Sequence, residues 1–293
     1  MEMRIAALFS IISNSIIIIL KIIAGLISGS ISIISEAIHS GADLFASLLT
    51  FFAVTKANEP ADKEHPFGHG KYEDMSGFIE GGLIVFAGLY IISESIKKLF
   101  LGYELKNEPI LGIYVMACSF VLNIIVSSYL FYIAKKRESV SLYADAQHLR
   151  MDVVSSFGVL CGLLIIKYTG FAVIDPIIGI LIACIIVRTG IKINKNAMND
   201  LLDGSLPQED INKIERILGE AKGIEGYKNL KCRRIGRCKD IEVTLLFLPE
   251  LNITECHRMC DKIEEQINKE FNQTRIMIHA EPCNENQTEL LKK

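Results

Sequence analysis

Two stretches of this chain place ionisable side chains inside sequence apolar enough to be buried in lipid. Glu36-Ala37-Ile38-His39-Ser40-Gly41-Ala42-Asp43 and Asp145-Ala146-Gln147-His148-Leu149-Arg150-Met151-Asp152 both read acid, Ala, any residue, His, three residues, Asp. His39 to His148 and Asp43 to Asp152 are the same step of 109 residues. A His and an Asp four apart lie on one face of a helix, one turn from each other. Ionisable groups at membrane depth are costly and face a bundle interior or a water-filled path. Any fold for this chain must therefore turn two such helices toward a shared interior.

The lengths of the apolar runs support that requirement. A bilayer-spanning helix needs roughly 20 mainly apolar residues. Candidate spans cover 5–27, 32–55, 77–96, 110–134, 141–166 and 171–189, with the paired motif in the second and fifth. Half of the 293 residues are hydrophobic, which suits a membrane protein carrying a soluble part. Arg4 before an apolar run imitates a signal peptide, but the run continues past Leu20 without a cleavage site and reads as a retained helix. Gly77, Gly81 and Gly82 in the third span permit close helix approach, to the sixth span or to a partner chain.

Lys and Arg set the orientation. With both termini in the cytosol, the inner segments hold ten of them, from Arg4 to Lys195, and the outer segments hold four: Lys97, Lys98, Lys106 and Lys167. This predicts a multi-pass protein of the cell membrane with cytosolic termini. The eight Cys show no paired spacing of a secreted disulfide framework.

Composition changes beyond residue 200. A helical pattern follows Pro207, with Ile211, Ile214, Ile217 and Leu218 on one face. Residues 227–235 and 239–248 read as strands joined through Gly236, residues 253–271 as a second helix, and 276–278 as a third strand. The expected organisation is a six-span transmembrane domain (1–199), a small cytosolic α+β domain of order αββαβ with a ferredoxin-like, metallochaperone-like arrangement (200–284), and a frayed tail (285–293). The run Lys228, Lys231, Arg233, Arg234, Arg237, Lys239 is interleaved with acids. Residues 201–293 count 15 basic against 17 acidic side chains, so the run reads as a solvated face and not as a nucleic-acid site.

Four ligands at matched helical positions exceed what a packing contact requires. Two imidazoles and two carboxylates suit tetrahedral Zn²⁺, while Mn²⁺ or Mg²⁺ prefers more oxygen and Cu(I) prefers thiolate. This ligand set leaves Co²⁺, Cd²⁺ and Fe²⁺ open. Four protein ligands also leave no position for a reactive water, which argues against an enzyme. His must be neutral to bind metal, so metal and proton compete for one site. Arg150 lies about 200° around the helix from His148 and is expected to face an internal acid. Asp145 is expected near the membrane edge, one turn outside the metal. A second candidate is the loop carrying Asp62, His65 and His69, spaced by three and four, with Pro66 and Gly68 shaping a turn.

The paired motif in helices two and five of six, the αββαβ tail and the loop Pro60-Ala61-Asp62-Lys63-Glu64-His65-Pro66-Phe67-Gly68-His69-Gly70-Lys71 resemble the cation diffusion facilitator family. The likeness extends from the first helix to about Cys283 and is nearest to its bacterial zinc and ferrous-iron efflux branch. It implies a homodimeric, proton-coupled antiporter that exports divalent metal from the cytosol by alternating access. His39, Asp43, His148 and Asp152 match the family's transport site, and the two-His, two-Asp version implies zinc ahead of iron and manganese. Asp62, His65 and His69 match a cytosolic loop site. His257, His279 and Glu281 match part of a cytosolic, regulatory metal site at the dimer interface, but Lys228 and Thr244 stand where two further His are expected. Cys256 with Cys260, and Cys232 with Cys238, are alternative thiolates or small core residues. Lys71 and Asp203 match an ion pair acting as a hinge. The alternatives are efflux of iron, cadmium, cobalt or manganese, and a membrane metal sensor that no longer transports.

Overall fold

The structure is a computed structural model that describes residues 2–28, 31–101, 110–169 and 174–283. The C-terminal segment expected to fray lies outside them. Six long helices come first: α1 (Glu2–Ser28), α2 (Ile31–Ala57), α3 (Lys71–Leu101), α4 (Ile110–Arg137), α5 (Val140–Thr169) and α6 (Ile174–Leu201). They are followed by α7 (Gln208–Glu220), β1 (Gly226–Ile235), β2 (Cys238–Phe247), α8 (Ile253–Glu270) and β3 (Thr274–Pro282). Contacts divide the chain into two compact units, 1–198 and 199–293.

The helical unit has its polar side inward. On α1, Ser10, Ser13, Asn14 and Lys21 are buried, while Ile5, Leu8, Ile12, Ile16 and Ile19 are exposed. That reverses the pattern of a water-soluble helix and fits an apolar surround. Among the described residues, α1, α3 and α4 contain stretches long and apolar enough to cross a membrane. α3 and α6 run beyond the expected 77–96 and 171–189 because hydropathy ends before helicity does. After Arg188 the chain turns polar, but before Gly204 it holds no Pro and one Gly, Gly190, which is packed against α3. α1 packs on α2 and α4, α4 on α5, and α3 on α5. One core joins Ala6 and Ala7 of α1 to Leu130 and Ile133 of α4 and to Leu142 and Leu149 of α5. Gly81 and Gly88 of α3 face α6: a Cβ on Gly81 would overlap Asn194 Oδ1, and one on Gly88 would lie 2.6 Å from Val187 Cγ2. For Gly81 the sixth helix is thus the neighbour admitted, whereas a Cβ on Gly77 would first meet Val140 of α5, at 2.7 Å.

In the second unit β2 is central, antiparallel to β1 and parallel to β3. Ile241, Val243, Leu245 and Phe247 alternate along β2 and pack under Ile214 and Leu218 of α7 and Ile263 and Ile267 of α8. Asn252 starts α8 with a capping box: its side chain accepts from the Glu255 N–H at 3.0 Å, and its own N–H donates to Glu255 Oε2 at 3.2 Å. Gly236 takes φ +58° in the β1–β2 turn, a left-handed value that suits glycine. The third strand spans 274–282, longer than the apolar 276–278, because pairing with β2 continues through His279 and Glu281 on the face away from the helices.

Candidate metal centre

α2 and α5 carry the two copies of the motif into the helical unit. His148 Nε2 lies 3.0 Å from Asp43 Oδ1, and ligand atoms of Asp43, His148 and Asp152 all fall within 4.8 Å of one another. Asp43 and His148 are buried and Asp152 is half-buried. His39 sits one turn before Asp43 on α2, but its side chain lies outside the described residues. A cavity of about 30 Å³ borders His148 and Asp152 and is lined also by Ile84, Ala87 and Ile91 of α3, by Met151, and by Ile186 of α6. That volume admits an ion or a water or two. The donor set, one imidazole nitrogen and two carboxylates converging beside such a cavity, fits a small divalent cation as cargo.

A buried polar seam surrounds the cluster, and the sequence pointed to little of it. Asp145 is fully buried and accepts from Ser47 Oγ at 3.2 Å. Ser47 of α2 offers it that donor inside the bundle. Ser47 is in turn held by Asn14 Nδ2 at 2.8 Å and lies 2.9 Å from Ser10 Oγ. Glu80, also fully buried, accepts from Ser76 at 3.0 Å and from Thr50. Lys21 donates from Nζ to Ser40 Oγ at 2.8 Å. Glu80 and Lys21 were visible as charges in apolar runs, but their Ser and Thr partners are too common to be singled out. Among the described residues Arg150 meets no internal acid; its guanidinium lies over the Phe131 ring at 3.9 Å.

The loop residues also converge. His65 Nδ1 and His69 Nε2 each lie 3.5 Å from an Asp62 carboxylate oxygen, and the three form a second potential metal group. Gly68, at φ +86°, makes the turn and donates its N–H to the His65 carbonyl at 2.9 Å. The His65 N–H donates to Asp62 Oδ1 at 2.6 Å and the Glu64 N–H at 2.9 Å, and these bonds hold the Asp62 carboxyl below the usual carboxylate range. His69 is buried, and its ring stacks on Tyr72.

Within one chain His279 and Glu281 come together, but His257 does not join them. His257 lies 3.7 Å from Asp261, His279 lies 3.5 Å from Glu281, and Glu281 pairs with Lys228 Nζ at 2.6 Å. Among the described residues they form no third metal group. Lys228, Thr244 and His279 share one row across the three strands, so the ammonium sits beside the carboxylate that a metal would need. Cys256 and Cys260 are buried in the tail core, and burial pushes the Cys260 thiol up and the Cys232 thiol up to about 11. Cys256 and Cys260 pack there as small core residues. Asp203 accepts from Arg233 Nη1 at 3.1 Å. Within the basic run Lys228 pairs with Glu281, Arg233 with Asp240 and Lys239 with Asp210, so several of its members are neutralised locally.

Residues 7–202 match the family model described as the cation efflux transmembrane domain. Residues 206–283 match the one described as the cation efflux protein cytoplasmic domain. The chain belongs to the cation efflux family. As a cation efflux transporter it has a helical transmembrane domain followed by a small cytosolic α+β domain. It is 28% identical to the cation-efflux pump FieF of Citrobacter koseri, covering 95% of this chain and 92% of the relative. It is 31% identical to the uncharacterized transporter sll1263 of Synechocystis sp., covering 90% and 85%. A solved chain from work on the zinc transporter candidate CzrB is 29% identical, with TM-score 0.26, and covers 27% of this chain and all of its own.

Proposed function

We propose that this protein is a proton-coupled antiporter that exports divalent metal, zinc above all, from the cytosol. The observation that carries the reading is the convergence of Asp43, His148 and Asp152 between α2 and α5, inside a helical unit whose outer face is apolar. His39, one turn from Asp43, completes a two-nitrogen, two-oxygen set, which favours Zn²⁺ over harder cations. The imidazoles bind metal only when neutral, so metal leaving and protons arriving are exclusive occupants of one site. Opening that site alternately to each side turns the competition into exchange.

In this reading α1–α6 cross the cell membrane with both termini in the cytosol. Asp62, His65 and His69 load metal from the cytosol. Lys71 and Asp203 form a hinge between the two parts of the chain. The α+β domain pairs two chains as a homodimer, and any regulatory metal on His257, His279 and Glu281 requires ligands from the second chain. The test is zinc flux into liposomes under a pH gradient. Wild type should transport and Asp152→Ala should not; undiminished flux in that variant would remove the assignment.

A further inference from the structure

Lys21 is a cation in a place that normally rejects one. It follows Ile16-Ile17-Ile18-Ile19-Leu20 on α1 and precedes Ile22-Ile23. A lysine on a spanning helix ordinarily extends its stem to bring the ammonium to the interface. Here the side chain turns inward and is buried, while Ile19, Leu20, Ile22 and Ile23 around it are exposed. Among the described residues of α1–α6, Lys21 is the only buried Lys or Arg. Its Nζ donates to Ser40 Oγ at 2.8 Å. Ser40 is itself buried and belongs to the first copy of the motif, directly after His39 and three residues before Asp43. Side chains three apart on a helix are neighbours, with Cβ atoms about 5–6 Å apart. The hydrogen bond therefore ties the Lys21 side chain to the residue three before Asp43 on α2, in a unit that buries the carboxylates of Asp43, Glu80 and Asp145.

We propose that Lys21 is a tethered countercharge for the transport site. This rests on the assignment of Asp43, His148 and Asp152 as the site that carries metal. When metal is absent the ammonium stabilises the vacated carboxylates; when a divalent cation arrives the ammonium repels it. The net effect weakens metal binding and speeds release, which a carrier needs and a static metal clip does not. Lys21 is a positioning residue: it touches Ser40 and acts on the metal through charge.

The test uses the full chain, with zinc affinity measured by titration calorimetry in detergent and KM and kcat measured by flux into liposomes. Lys21→Met should bind zinc at least threefold more tightly and turn over at least threefold more slowly. Lys21→Gln, which keeps a donor for Ser40, should behave likewise and covers the case in which the Met variant fails to fold. Lys21→Arg should stay within twofold of wild type. A purely structural lysine would lower the folded yield without lowering KM. Wild-type or weaker zinc affinity in Lys21→Gln would overturn the proposal. Asp152→Ala, run alongside, separates the two failures: if it still transports, the site assignment falls; if it does not, only the role of Lys21 is at stake.

Discussion

His148 on α5 and Asp43 on α2, separated by 105 residues, meet at 3.0 Å between Nε2 and Oδ1. The contact joins the two copies of the motif, and both atoms belong to the set a cation would take up. Asp43→Asn keeps the shape of the side chain and removes its charge. Zinc affinity should fall by about 100-fold or more, beyond what is typical for loss of a supporting residue. Calorimetry that found wild-type affinity in this variant would take Asp43 out of the ligand set.

The loop makes a pH prediction. Asp62 is held below the usual carboxylate range first by the His65 N–H, with the Glu64 N–H adding to it. A group whose folded-state pKa is depressed contributes stability above its unfolded value, about 3.9 for Asp, and loses it as pH falls through the lowered value. The turn should therefore hold at neutral pH and through about pH 4, and open only in stronger acid. Amide exchange at Glu64 and His65 reads this directly. Asp62→Asn should speed that exchange at pH 7, and unchanged exchange would show that the carboxylate does not hold the turn.

Glycines separate packing from backbone freedom. A Cβ on Gly190 would lie 2.9 Å from the Gly81 carbonyl oxygen and 2.9 Å from the Val85 nitrogen, both backbone atoms that cannot rotate away. Gly190→Ala should therefore force α3 and α6 apart and cost about 1–3 kcal/mol. Gly219, in α7, has nothing within 4 Å of such a Cβ. Gly219→Ala should instead stabilise by about 0.5–1 kcal/mol. Thermal unfolding of the two variants should move in opposite directions.

Lys228 occupies the carboxylate of Glu281 on the sheet of the cytosolic domain. Its bond to Glu281 at 2.6 Å keeps that carboxyl below its ordinary range and supplies the positive charge there. Lys228→Ala should raise the zinc affinity of the tail several-fold. This is best measured with Asp152→Ala also present, so that the membrane site does not contribute. No gain would mean that Glu281 is not a potential ligand.

What could be read in advance followed the reach of each signal. Strands β1 and β2, the turn at Gly236 and the α7 face of Ile214 and Leu218 follow from local periodicity. The repeat placed Asp43, His148 and Asp152 on helix faces, and the structure brings the three together. Helical periodicity states which way a side chain points and not what stands opposite. That Asp145 is buried against Ser47 was therefore not foreseen. Arg150 was expected to meet an acid and lies over Phe131. The Lys21–Ser40 and Glu80–Thr50 contacts were hidden for the same reason: each joins different helices through a hydroxyl that carries no pattern of its own.

The central claim is exchange of metal for protons at the cluster between α2 and α5. The measurement that tests it most directly is the interior pH of liposomes containing the purified protein, at matched starting pH, when Zn²⁺ is added outside. Zinc entry should drive protons out and raise the interior pH with wild type, and Asp152→Ala should give no change. Zinc entry without a change of pH, or an equal response from Asp152→Ala, would contradict the account.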